Sequence, residues 1–147
     1  MDAVGQITDS GTTNVAGGTS SFTARTGSGL FNDIVLDDAN ADYGTLSLMG
    51  HDIVVENSNA AMATLTIDNA TATGDLTITL SGAGQSFDNT PGSNMSIDGK
   101  TRITAAGAID LYYLGCKFGD WMPGDPTDDP SLDSPLYLDA PSVTLHP

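Results

Sequence analysis

Apolar residues along this chain recur at every second position, in short bursts. "TLTID" at Thr64–Asp68 and "LTITL" at Leu76–Leu80 alternate strictly. Such alternation puts Leu65 and Ile67, or Leu76, Ile78 and Leu80, on one face of an extended segment and Thr on the other. The bursts Ile34-Val35-Leu36, Leu46-Ser47-Leu48 and Ile53-Val54-Val55 are long enough for strands and too short for helices. The pattern predicts extended segments at Val4–Ile7, Thr13–Val15, Ser21–Ala24, Asp33–Leu36, Thr45–Leu48 and Asp52–Val55. It predicts further ones at Ala63–Ile67, Leu76–Leu80, Met95–Ile97, Arg102–Ala105 and Ile109–Tyr113. Breaks such as "TGSG", "MGHD", "ENSNAA" and "DNTPGSN" carry the Gly, Asn, Asp and Ser of tight turns. Before Tyr113 no apolar stripe at helical spacing exceeds one turn. The expected fold class is all-β.

Many short strands suit a sandwich, a barrel or a solenoid, and repeats decide between them. Strand centres at Val15, Phe22, Ile34, Leu46, Ile53, Leu65 and Thr77 follow one short step and two long ones, twice over, which makes a constant three-strand cycle. Gly17, Gly50, Gly82 and Gly115 each follow an apolar burst and recur at nearly the same interval. Three strands and three turns are what one coil of a parallel β-solenoid needs, with glycine at a corner of positive φ. The inward-facing residues are then Val15, Phe22, Ile34, Leu36, Leu46, Leu48, Ile53, Val55, Leu65, Ile67, Leu76, Ile78, Leu80, Ile97, Ile103, Ile109 and Leu111.

The stretches "ITDSGTTNVAGGTSSFTA", "NDIVLDDANADYGTLSLMGHDIVV", "GDLTITLSGAG" and "KTRITAAGAIDL" resemble the degenerate repeats of filamentous-haemagglutinin-type large bacterial exoproteins. The likeness runs from Ile7 to Leu111, most of the chain, and lies in "N-D-I-x-L-x-D" and "G-x-L-T-I/V-T" phrases. It implies a right-handed parallel β-helix, exported and displayed at the bacterial cell surface for adhesion or structure.

Composition sharpens this picture. The chain has 147 residues, 19 of them acidic and only four basic (Arg25, Lys100, Arg102, Lys117), with Glu56 the one glutamate. A sequence nearly without Glu and Lys has few helix formers. The net charge of −15 excludes a nucleic-acid partner, because nothing here neutralises a row of phosphates. No apolar run approaches the roughly 18 residues of a membrane span. The N-terminus "MDAVGQITDSG" lacks the basic and apolar regions of a signal peptide.

After Tyr113 the character changes. The segment holds the single Trp121 and six of the seven prolines. Residues 1–114 are expected to form the solenoid repeats, and 115–147 a Pro/Asp-rich closing segment or extended arm. Leu136, Tyr137, Leu138, Val143 and Leu145 need a cover, either this chain's own end or another copy.

Candidate chemistry is sparse. The acidic turns Asp37–Asp42 and Asp125–Asp129 are the places where calcium would fit, but neither has an EF-hand spacing and turn capping accounts for both. No cofactor is expected. His51 and His146 stand apart, and Cys116 beside Lys117 has no neighbouring His, so it reads as an inert thiol. Tyr112, Tyr113, Phe118 and Trp121 read as an aromatic cap over one end of the solenoid.

The expectation is a non-enzymatic extracellular structural protein, a surface filament subunit or adhesin stalk segment whose partners are copies of itself, head to tail. The expected assembly interface is Val4 and Ile7 at one end, with Leu136, Tyr137, Leu138, Val143 and Leu145 at the other. There the tail from Pro135 onward reaches the next copy by strand addition. The alternative is an adhesin module that binds surface glycans or a host surface. A polysaccharide-active β-helix enzyme ranks third, because only Lys100 and Arg102 are basic in the later repeats.

Overall fold

The computed structural model describes residues 1–9, 18–119 and 136–147. Its strands are β1 (Asp2–Val4), β2 (Ile7–Thr8), β3 (Thr19–Arg25), β4 (Ile34–Leu36), β5 (Thr45–Gly50), β6 (Ile53–Asn57) and β7 (Thr64–Ala72). They continue as β8 (Leu76–Leu80), β9 (Ser86–Ile97), β10 (Thr101–Ala105), β11 (Ala108–Tyr112), β12 (Lys117–Phe118), β13 (Leu136–Asp139) and β14 (Ser142–His146). Alternation decides which side of each strand faces in. In β8, Leu76, Ile78 and Leu80 are buried while Thr77 and Thr79 are turned outward, and β5, β6 and β11 repeat the pattern. Among the described residues there is no helix, and so none long and apolar enough to cross a membrane.

The strands fall into two sheets. One runs β1-β3-β5-β7-β9-β11-β14, with β12 also on β9, and the other runs β2-β4-β6-β8-β10-β13. All these pairings are parallel. The chain therefore circles from sheet to sheet and stacks each coil on the one before: a parallel β-solenoid. Five steps separate the six strands of the smaller sheet, which at about 4.8 Å per step spans roughly 24 Å.

Each central coil has three faces, because the long strands carry two paired segments. Thr64–Ile67 of β7 pairs with Ser86–Asn89 of β9, and Asn69–Ala72 pairs with Asn94–Ile97 after a register break. The first half of β9 is continued by β11 and the second by β12. Three strand segments per coil agree with the sequence reading, but the constant cycle does not. Ile34 pairs with Ile53, Ile53 with Leu76, and Leu76 with Thr101. The preceding corner positions bond across the same three steps, at sequence separations of 19, 23 and 25. These three steps are thus shorter than the repeat that equal spacing suggests and lengthen in turn, whereas the step from Ile7 to Ile34 is longer than any of them and that from Thr101 to Leu136 is longer than the repeat itself. Strand pairing holds the register while the corners vary in length, so no single period exists. The constant cycle equated Ile34 with Leu65, which belongs to the other sheet.

Most of the expected core is in place. Every inward-facing residue named above that is described is buried, except Phe22, which packs partly against the core; Val15 and the Thr13–Val15 segment lie outside the described residues. Tyr43, Met62, Phe87 and Phe118 join the core from corners and strand ends where alternation gives no signal. Each fully buried Ile or Leu contributes about 1.5–3 kcal/mol.

The glycine reading needs a correction. Of Gly50, Gly82 and Gly115, only Gly115 has positive φ, at 85°, and Gly17 lies outside the described residues. Gly50 and Gly82 answer to crowding between coils. A Cβ at Gly50 would stand 3.0 Å from the Asn32 carbonyl and 3.1 Å from Ile34 Cγ1, and one at Gly82 2.7 Å from the Ser58 carbonyl.

The C-terminal segment continues the stack. Cys116 and Phe118 are buried, and β12 pairs with β9. β13 pairs with β10 and β14 with β11. Its own chain covers Leu136 and Leu138 in part, while Tyr137, Val143 and Leu145 stay exposed. Leu136 and Leu138 fall in register on Thr101 and Ile103, as Val143 and Leu145 do on Ile109 and Leu111, so both strands pair within the chain. Trp121, Asp125–Asp129 and Pro135 lie outside the described residues.

One inward position breaks the apolar rule. Thr101 is 1% exposed, sits between Leu76 and Leu136 in its column, and its hydroxyl has no hydrogen-bond partner among the described residues. A buried hydroxyl left unpaired costs about 1–3 kcal/mol. Thr101→Val is therefore expected to raise the urea unfolding midpoint, by about 1 kcal/mol of stability; a lowered midpoint would show that the hydroxyl is bonded.

Candidate functional site

The polar side chains most capable of chemistry gather at the corners. Asp33, Asp52 and Asp75 immediately precede β4, β6 and β8, so the parallel register stacks them on successive coils. Asp33 Oδ1 accepts the backbone N–H of Asp52 at 3.2 Å, and Asp52 Oδ1 that of Asp75 at 2.9 Å. Asp75 Oδ1 accepts the N–H of Lys100 at 2.8 Å, so the column ends on a cationic residue. Side chains at Gly74 and Gly99 would collide with the carboxylates of Asp52 and Asp75, which explains glycine there. His51 Nδ1 lies 3.2 Å from Asp33 Oδ1 and 3.4 Å from Asp52 Oδ1. Asp33, His51 and Asp52 are the one group among the described residues close enough to share a metal ion. The oxygens nearest His51 already accept backbone N–H groups, so the cluster works as a corner cap.

The acidic turn at Asp37–Asp42 does the same work. Asp9, one coil earlier, accepts the N–H groups of Asp37 at 2.8 Å and Asp38 at 3.2 Å, together with the hydroxyl of buried Tyr43. Asp38 Oδ1 accepts the N–H of Asn40 at 2.9 Å. Burial works to raise the Asp9 pKa, but the Tyr43 hydroxyl and the two backbone N–H groups outweigh it and hold it below the usual carboxylate range. Burial and the Asp9 carboxylate push the Tyr43 phenol up.

Buried amides close the remaining corners. Asn57 Nδ2 donates to the carbonyls of Ala41 at 2.8 Å and Asp38 at 3.2 Å, and its Oδ1 accepts from Gln85 Nε2 at 2.7 Å. Gln85 Oε1 accepts the N–H of Gly82 at 2.6 Å. Asn89 bridges to the next coil, donating to the Tyr112 carbonyl at 2.8 Å and accepting its N–H at 2.7 Å. An orphaned amide at any of these buried positions would cost the full desolvation penalty.

The residues expected at an assembly interface lie at the two ends of the stack. Val4 in β1 is 82% exposed and faces outward opposite Arg25, while Ile7 in β2 is buried in the first coil. Leu136 and Leu138 are partly buried in the last coil. Val143 and Leu145 face inward yet are 41% and 52% exposed. Tyr137 faces outward with the Arg102 guanidinium 4.5 Å from its ring centroid, a contact that no local pattern announces. Cys116 is buried, which pushes its thiol pKa up and makes it a poor nucleophile.

One further pair escaped the sequence reading. Asp88 and Asp110 are register partners on adjacent coils, and Asp88 Oδ1 is buried without a hydrogen-bond partner among the described residues. His146 Nε2 is 3.7 Å from Asp110, and its ring stacks on Tyr112 at 4.3 Å. Burial, then the Asp110 charge, raises the Asp88 pKa; the Asn89 N–H and His146 pull the other way without cancelling this.

The two shifted carboxylates have opposite linkage signs. Asp88, raised when folded, favours the native state below its ordinary value of 3.8, and that contribution is lost as pH rises through the raised value. Asp9, lowered when folded, favours the native state above that value and loses the contribution as pH falls through the lowered one. At neutral pH Asp88→Asn is expected to raise the melting temperature and Asp9→Asn to lower it. Both differences should shrink toward about pH 3 in thermal unfolding monitored by circular dichroism; a pH-independent difference for either would remove the assigned cause.

A family model described as repeats of unknown function (DUF5649) matches residues 1–49 and 50–120. Neither the curated proteins nor the solved structures hold a match to the chain. The two matched stretches divide at Met49 and Gly50, where β5 ends, and together take in β1 to β12. With most of its length so matched, the chain belongs to this family of repeats of unknown function.

Proposed function

We propose that the chain is a non-enzymatic structural segment of an extracellular bacterial surface protein. It is a rod of stacked coils, either a filament subunit or a length of adhesin stalk, extended end to end by copies of itself. The observation that carries this reading is where the polar side chains go. Asp33, Asp52, Asp75, Asn57 and Asn89 each bond from one coil to the next. A reactive site needs groups that are positioned but unsatisfied, whereas these are positioned and satisfied. The resemblance of "NDIVLDDANADYGT" and "GDLTIT" to filamentous-haemagglutinin-type repeats supports display at the cell surface. The surplus of carboxylates on a rod suits a solvated exterior.

A second reading, an adhesin module for surface glycans or a host surface, is favoured by Tyr137. The residue is 47% exposed on an outer face beside Arg102, as a sugar-stacking platform would be.

Electron microscopy across a concentration series tests the first reading. Rods whose length grows with protein concentration are the expected result. Particles of constant length at every concentration, with glycan binding abolished by Tyr137→Ala, would replace it with the second.

A further inference from the structure

The last coil ends on strands that are paired on one side. β13 has β10 and β14 has β11, with no strand on their outer edges among the described residues. Columns that are sealed one coil earlier lie open here. Ile109 and Leu111 are fully buried, while their register partners Val143 and Leu145 are exposed. At the opposite end, β2 pairs only with β4, and Thr19 and Ser20 of β3 pair only with β5 among the described residues, the Ser21 carbonyl accepting from the Met1 amino group. Since every ladder is parallel, the first and last coils present free edges of the same strand direction and opposite side. Each supplies the N–H and C=O groups that the other lacks.

We infer that a second copy of the chain docks on this end head to tail, with its β2 on β13 and the start of its β3 on β14. The inference rests on the rod reading above and adds its contact surface and register. In one sheet Ile7, Ile34, Ile53, Leu76, Thr101 and Leu136 are successive partners, so the next member of the column is Ile7 of the second copy. Its Thr8 then stands over Tyr137. In the other sheet Thr19, Thr45, Thr66, Asp88, Asp110 and Thr144 succeed one another, which sets the second copy's Thr19 over Thr144 and Ser20 over Leu145.

No carboxylate opposes a carboxylate at these four places, so the register sets no like-charge pair face to face. Asp9 of the second copy falls over Leu138, but its carboxylate is already held by Asp37, Asp38 and Tyr43 of its own chain. A two-fold arrangement fits less well. Turning a three-faced coil over exchanges two of its faces, so pairing β13 with β13 would set β14 against the wrong face. A head-to-tail contact satisfies both strands at once and does not close.

Paired cysteines read the register directly. Thr8→Cys with Tyr137→Cys places two thiols one rung apart in adjacent copies, within the reach of a disulfide. Mild oxidation is expected to give a ladder of multimers on a non-reducing gel, and Val4→Cys with Tyr137→Cys none. In the parent chain, Val143→Asp with Leu145→Asp is expected to raise the concentration needed for association by more than about tenfold, with melting temperature and circular dichroism unchanged. Rods that grow without the Thr8–Tyr137 cross-link, or a species that stops at the dimer, would overturn this register while leaving a rod in place. Absence of association in the parent chain would overturn the rod reading itself.

Discussion

The whole molecule depends on the parallel backbone ladder. A single short coil has too little interior to hide its own apolar face and no way to satisfy its own main-chain groups. Both needs are met by the coils above and below. Once the ladder is imposed, residues at the same phase must stack on their own kind, and the chemistry of each position follows. Inward columns are aliphatic, as in Ile7, Ile34, Ile53 and Leu76. Corner columns hold short side chains that reach a backbone N–H one step along the axis, as in Asp33, Asp52 and Asp75.

This constraint also explains an odd composition. Aspartate is the right length to cap the next coil from a corner, whereas glutamate, with one more methylene and a greater entropy of ordering, is not. The acidity of the chain is thus partly a by-product of geometry: at least Asp9, Asp33, Asp52 and Asp75 are acceptors for main-chain donors. The two glycines that face the carboxylates of Asp52 and Asp75 complete the same device.

Legibility in the sequence tracked how local each signal was. Strand faces were readable because alternation is local, and so was the solenoid, because short parallel strands with repeated corners have few other solutions. Coil length was not readable. The loop from Asp37 to Gly44 and the tight corner at His51 and Asp52 differ in size, and a rule of equal spacing cannot absorb that difference. Tyr43 went unread, and Phe118 was read as part of an end cap and not as core, because both enter the core outside any alternating run. Among candidate site residues, the exposed tail apolars were visible as apolar residues lacking an evident cover. Their fate as a last coil depended on register with Thr101 and Ile109, which no local pattern shows. Asp88 and Asp110 are a full coil apart along the chain and meet only because of the ladder.

Unequal coils also give the rod a mechanical signature. Tension that peels strands from one end breaks the ladder a coil at a time, and each rupture frees only the chain stored in that coil. The segment from Ile34 to Ile53 extends to at most about 65 Å, and that from Leu76 to Thr101 to about 85 Å. A solenoid built this way yields in steps of different length, so it dissipates a pull gradually and records, in the spacing of its ruptures, which coil has let go.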